Sequence, residues 1–284
     1  MIKVLLNSIA LDPNRWTKDK TPLYRLDQLL GPISKAGFHF MEVWEHHVSE
    51  ESQAHIEAIR EMANSLQLSF PVVGMYPQLH LEGEERLIES ARIEKLLVYA
   101  KLLGATVVKI FVGTRSSTAI TDKEYERSVE FIKETTSRAE ALDLTITGET
   151  HQKTLFDTVE SCKRFIGDVN SSRFKICYQP YDLRHTEHAI NDYERLATDV
   201  IHVHYQGRQG SSMELLENSD LDYRKLTQAL ANRSFRGFIC IEFTKESVVK
   251  DLQDFKLETV LSNARRDRDF ILTAAQEFEM EVRA

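Results

Sequence analysis

Three cysteines in 284 residues, Cys162, Cys177 and Cys240, with no CxxC pairing among them, exclude a disulfide framework and fit a reducing compartment, read here as the cytoplasm. No segment approaches the roughly 20 apolar residues of a membrane span. The amino-terminal apolar stretch is soon interrupted by Asn7, Asp12 and Pro13, so it is expected to be a first strand and not a secretory core. Linker-like runs of Pro, Gly and Ser are absent, as are low-complexity tracts and internal repeats. So are the Gly-rich P-loop and GxGxxG patterns, which counts against nucleotide chemistry. No basic run follows the pattern of a phosphate backbone, and a net charge of -8 repels polyanions. The expectation is a soluble protein with neither a nucleic-acid nor a membrane partner.

What is present is ordinary globular composition, 42% hydrophobic and 28% charged, in a chain about the size of one α/β barrel. A single domain over residues 1–284 is the simplest reading. Short β-branched apolar runs alternate with amphipathic segments of helical period, the pattern of a parallel sheet covered by helices. Eight strands are expected: 2–9, 39–44, 69–75, 106–112, 144–149, 174–178, 200–205 and 238–243. Helices are expected over 23–35, 51–66, 84–103, 122–142, 156–167, 187–197, 222–232 and 257–277. Gly104 and Gly37 stand where a residue tolerant of positive φ ends a helix, and Thr121 or Asp122 can cap the helix that follows. Eight such pairs in strict order favour a closed (β/α)8 TIM barrel, with an open sheet as the outcome if one strand fails.

Reactive groups of such a barrel gather at the carboxyl ends of its strands. Four late strands close on polar residues, in LTITGETH, FKICYQPYD, VIHVHYQGR and FICIEF. They present Glu149 with His151, Gln179 with Asp182, His202 with His204, and Glu242. A carboxylate behind a buried strand is costly unless paired or bound to an ion. Two glutamates, one imidazole and an amide or carboxylate oxygen make an oxygen/nitrogen set suited to one divalent metal ion, Mn, Mg, Co or Zn. The same two glutamates could remove and return a proton beside a carbonyl that the metal polarises.

These motifs resemble the xylose isomerase-like TIM-barrel family, in its sugar phosphate isomerase/epimerase branch with tagatose 3-epimerase and inosose dehydratase relatives, over nearly the whole chain. The resemblance implies a metal held by Glu149, His204 and Glu242, with Glu149 and Glu242 catalytic. The family's fourth ligand is an Asp ending strand six; here Gln179 takes that place, or Asp182 substitutes for it. The resemblance also implies substrate contacts from Lys109, Glu42, His151 and Arg208, with Trp44 and Phe111 as apolar walls, and association into a homo-oligomer.

The activity so implied is a metal-dependent isomerase or epimerase of a small sugar or keto-sugar. A keto-polyol dehydratase or lyase would use the same proton abstraction. A sugar-binding barrel without turnover, suggested by Gln179, is the alternative from another class. A repair endonuclease needs more His and acidic ligands than this chain places. Against these stand plainer readings. The rim glutamates and His204 could form a structural network. His202 could point away from His204 into helix packing. Lys109 could pair with Glu42 inside the barrel. His46 and His47 are expected in solvent, and ARRDRD near Arg265 as a solvated helix face.

Overall fold

The computed structural model describes all 284 residues. Eight strands alternate with eight helices: β1 (Ile2–Asn7), α1 (Leu26–Lys35), β2 (Phe40–Trp44), α2 (Gln53–Ser65), β3 (Ser69–Met75), α3 (Gly83–Leu103), β4 (Val107–Phe111) and α4 (Asp122–Ala141). The second half runs β5 (Thr145–Glu149), α5 (Val159–Val169), β6 (Phe174–Tyr178), α6 (Thr186–Leu196), β7 (Val200–Gln206), α7 (Tyr223–Asn232), β8 (Phe238–Phe243) and α8 (Leu257–Glu277). Neighbouring strands are consecutive in the chain, and β8 pairs in parallel with β1 from Lys3↔Phe238 to Leu6↔Ile241. That last pairing closes the barrel and disposes of the open sheet. No helix is long and apolar enough to cross a membrane.

Local chemistry sets the boundaries. Thr121 and Glu124 form a capping box at the start of α4, with Asp122 and Glu124 favouring the positive helix end. Gly104 ends α3 at φ 85°, a left-handed conformation open to glycine. Several expected boundaries shift, two of them with a clear local cause. β1 stops at Asn7, because the Asn7 side chain accepts from the Ile9 amide at 3.0 Å and turns the chain into a 3-10 turn. α5 starts at Val159, three residues late, because Thr158 supplies the capping oxygen to Ser161.

Alternation along each strand then builds the interior in layers. Leu5, Phe40, Val72, Val107 and Cys240 form a small buried cluster inside the barrel, separate from the 72-residue cluster between strands and helices. Two residues further along those strands stand Asn7, Glu42, Gly74, Lys109 and Glu242, all buried apart from the glycine's missing side chain. The polar layer therefore lies directly above an apolar floor. Burying each ion costs several kcal/mol, whereas each fully buried aliphatic or aromatic side chain contributes roughly 1.5–3 kcal/mol. The large outer core can carry that expense.

The ARRDRD segment is solvated at Arg265, Arg266 and Asp269, as its composition suggests, but two of its charges turn inward. Asp267 is buried on α8, accepting from the Leu216 amide at 2.8 Å and the Thr244 hydroxyl at 2.5 Å, so it fastens the loops after β7 and β8 to the helix. Burial pushes its carboxyl up to about 7. Arg268 likewise turns inward and donates to the Ala36 carbonyl at 3.0 Å, at the end of α1.

A candidate metal centre beneath an open cavity

Glu149 closes β5, His204 lies in β7 and Glu242 in β8, and one ligand atom from each falls within 4.8 Å of the others. His204 is oriented by Glu42 from β2, whose Oε2 lies 2.9 Å from His204 Nε2. An ionised carboxylate only accepts, so Nε2 carries the hydrogen. Nδ1 is left without a partner, 3.6 Å from Glu149 Oε1 and 3.6 Å from Glu242 Oε1. A histidine held by a carboxylate behind it, with its other nitrogen facing two carboxylates, is arranged as a metal ligand.

Gln179, just beyond β6, completes the group. The Thr150 hydroxyl clamps its backbone, donating to the Gln179 carbonyl at 2.6 Å and accepting from its amide at 2.7 Å. The side-chain amide reaches Glu149 Oε1 at 3.2 Å and Glu242 Oε2 at 2.7 Å. With its nitrogen inward, it donates to both carboxylates. With its oxygen inward, it adds a fourth acceptor to a set that only a cation satisfies. Glu149 Oε2 points the same way: Lys109 Nζ is 2.7 Å from it, but at an angle outside hydrogen-bond geometry, so the oxygen has no directional donor. The donor set, two carboxylates, an amide oxygen and Nδ1, thus fits one divalent ion. Asp182 takes no part; it lies at the rim, against His185 and the Arg184 amide.

Electrostatics in this layer are strongly coupled. Burial opposes the charge on Glu149, yet Lys109 and then His204 hold its carboxyl down at about 2. Burial also opposes ionisation of Glu42, but His204 and His202 keep it well below the carboxylate range. For His204, burial works against protonation, while Cys177 and Glu42, followed by Glu149 and Glu242, raise it well above its ordinary value. The site calls for positive charge at Nδ1, which a proton or a metal ion can supply.

His202 does not turn outward. Residues two apart in a regular strand share a face, and both His202 and His204 point inward, with His202 Nε2 3.2 Å from Glu42 Oε2. Glu42 thus faces two imidazoles, hydrogen-bonded to His204 alone, and sits beneath the cavity, as does Lys109. Neither belongs to the cavity wall that the substrate-contact reading requires. Lys109 pairs more closely with Glu149 than with Glu42, which is 3.9 Å away. His47 is buried, its Nδ1 2.9 Å from the Ser8 hydroxyl, and His46 packs on Trp44 with ring centroids 4.6 Å apart.

Above the layer opens a cavity of about 660 Å³ whose lining includes His151, Arg208, Gln179, Glu242, Trp44 and Phe111. Gln206, Tyr76, Arg15, Trp16 and Lys20 also border it and were not singled out by sequence. Gln206 was within reach of that reading: it is the third inward residue of HVHYQ and donates to Glu242 Oε2 at 3.1 Å. Tyr76, one residue past β3 and in phase with Val72 and Gly74, carries the same strand-end signal, whereas Arg15, Trp16 and Lys20 carry none.

Glu42 affords a direct test of the support behind His204. Glu42→Gln is expected to weaken Mn²⁺ binding about 10- to 100-fold, because the imidazole loses its anionic partner. Titration calorimetry would measure this, and an affinity equal to wild type would reduce Glu42 to a packing role.

Comparison with known proteins agrees with the barrel fold. The family described as xylose isomerase-like TIM barrel matches residues 30–268. A 3-dehydroshikimate dehydratase from Bacillus anthracis is 22% identical over 178 residues, which make up 60% of this chain and 62% of that protein. The match therefore spans less than two thirds of the relative's length. The structure of a D-psicose 3-epimerase with D-tagatose from Clostridium cellulolyticum superposes with a TM-score of 0.73 at 17% identity, covering 99% of this chain and 100% of the other. A barrel protein from Mycobacterium smegmatis in complex with magnesium gives 0.75 at 14% identity, covering 97% of each chain.

Proposed function

The chain belongs to the xylose isomerase-like TIM barrel family, and on that premise we propose that it is a divalent-metal-dependent isomerase or epimerase of a small sugar or keto-sugar, working by proton transfer beside a carbonyl. The observation that carries this reading is the convergence of Glu149, Gln179, Glu242 and the unpartnered His204 Nδ1 just beneath one cavity, whose wall Gln179 and Glu242 join. Glu149, Gln179, His204 and Glu242 would hold a divalent ion, which would supply Lewis acidity toward a carbonyl oxygen next to the reacting C–H.

The two glutamates then divide the work unequally. Glu242 borders the cavity, and Gln206 fixes its Oε2, so it is placed to take the proton. Glu149 is absent from the cavity lining, and a carboxyl held at about 2 is a weak base near neutral pH. It acts as a ligand first, and as the partner base only where a substrate reaches it. Trp44, Phe111 and Tyr76 offer apolar surface to the carbon face of a sugar, while His151 and Arg208 supply hydrogen bonds to its oxygens.

Incubation with Mn²⁺ and a panel of ketoses in deuterated water is the decisive experiment. Deuterium should enter at a carbon next to the carbonyl, as read by NMR. Absence of exchange in every ketose would remove the proposal.

A dehydratase is the second reading, favoured by the resemblance to the 3-dehydroshikimate dehydratase and by His151 in the cavity wall. His151 Nδ1 lies 2.7 Å from the Gln152 carbonyl, to which it must donate, and its ring stacks on Phe111. In its protonated form it could hand the Nε2 proton to a leaving hydroxyl after Glu242 has taken the carbon-bound one. A product lighter by one water would decide for this reading.

A further inference from the structure

The cavity carries more positive charge than its own acids balance. Arg15, Lys20 and Arg208 line it, and Glu242 is the single carboxylate among the lining residues. Glu242 is already accounted for: together with Glu149 it offsets the two charges of a divalent ion. Lys109 is offset by Glu42, and Gln179 brings an oxygen without charge. Lys20 and Arg208 remain, with Arg15 behind them offset only at longer range by the buried Asp12, in a protein whose net charge is -8.

None of the three has an acid for a partner. Arg208 donates to the neutral Gln206 Oε1, at 3.2 Å from Nη2 and 3.4 Å from Nε. Lys20 Nζ makes no hydrogen bond and lies 5.9 Å from the centre of the Tyr76 ring. Arg15 is buried, with its terminal nitrogens on the Asp12 and Ser247 carbonyls and its Nε unpartnered. Elsewhere the chain commonly pairs its arginines, as with Arg92 against Glu89 and Glu45 at 2.8 Å, or Arg127 against Glu82 at 3.0 Å. Cations left unpaired around a walled cavity focus a positive potential where a ligand would sit.

From this excess we infer that the substrate carries an anionic oxygen group, a carboxylate or a phosphate, which Lys20 and Arg208 receive while Arg15 adds fixed charge behind them. The inference rests on reading this cavity as the substrate site. A guanidinium and an ammonium together suit either anion, the planar fork of Arg208 meeting two oxygens and Lys20 acting as a point charge. A neutral ketose would leave both cations without a counter-charge.

Titration calorimetry on the Mn²⁺-treated protein can test this with three probes: D-fructose, D-fructose 6-phosphate and 5-keto-D-gluconate. At least one anionic probe should bind about tenfold or more tightly than D-fructose. In the double variant Lys20→Ala/Arg208→Ala that advantage should vanish, the anionic and neutral probes then binding alike. In the wild type it should shrink as salt rises, a measurement that needs no variant to fold. Whichever of the two anionic probes gains most identifies the group. Equal or undetectable binding of anionic and neutral probes, or an advantage that survives both the double variant and high salt, would overturn the inference. Failure of the metal-dependent reading shows separately, as absence of stoichiometric Mn²⁺ in the wild type. An anion preference lost with Lys20 and Arg208 would stand even then.

Discussion

Replacement of Glu242 by glutamine should slow deuterium exchange by about 10²- to 10⁴-fold, the range that general acid–base catalysis contributes. The substitution keeps the size of the side chain and an oxygen able to accept from Gln206, now 3.1 Å away, so the barrel should remain folded. It removes a charge from the ion and a base from the cavity at once, and the two losses separate experimentally. Weakened metal binding is overcome by raising Mn²⁺ until the effect of adding more disappears. What remains at saturation is the loss of the base. Exchange near the wild-type rate at saturating Mn²⁺ would assign Glu242 to metal binding alone, and the proton would have to pass through another group, with His151 the next candidate in the wall. Glu149→Gln makes a poorer probe of the base, because it also strands Lys109 in the interior without its closest acid.

The contrast between those two glutamates was not visible in the sequence, although both residues were. Strand ends are legible because an apolar run of period two ends on a polar residue for few other reasons. GETH, HVHYQ and CIEF therefore placed Glu149, His204 and Glu242 at one end of the barrel, and the same alternation in HVHYQ carries Gln206. What the pattern lacks is the stagger between strands. Phe111, not Lys109, pairs across from Glu149 in the sheet, yet the long Lys109 side chain reaches up to Glu149 and leaves Glu42 at 3.9 Å. Gly74 permits this, since a Cβ there would stand 3.2 Å from Lys109 Cε and 3.1 Å from Glu42 Oε1. Loop residues were harder still. Asp12 folds the segment after β1 over the cavity by accepting from Asn14 and from the more distant Leu23 amide. Arg15 becomes buried there, with its guanidinium 4.9 Å from the centre of the Phe243 ring. Charge alone suggests solvent for Arg15, His47 and Asp267, and in each case contacts from distant parts of the chain reverse that expectation.

Lys109 accounts for the other large effect expected, on stability. Its ammonium lies 2.7 Å from Glu149, 3.4 Å from the Tyr76 hydroxyl and 4.5 Å from the centre of the Tyr76 ring, wholly out of solvent. Lys109→Met keeps the volume and removes the charge, leaving two buried carboxylates short of a cation. Breaking one side of a buried pair typically costs about 3–5 kcal/mol. The loss should be measured by urea unfolding of metal-free protein, where no ion replaces the missing charge. Its pH dependence has a definite sign. In the wild type the Glu149 carboxyl lies at about 2, below its ordinary 4.5. Its contribution is therefore full above 4.5 and fades as the pH falls toward 2. Without Lys109 burial dominates and the carboxyl rises, so the folded variant is relieved by protonation that the wild type resists. The deficit should thus be largest near pH 7 and narrow as the pH approaches 4.5. A deficit below about 1 kcal/mol, or one constant across that interval, would mean that water or a rearranged His204 already compensates Glu149. Excess Mn²⁺ should restore part of the lost stability by binding the folded state, because the ion would then occupy the side of Glu149 that faces His204 Nδ1.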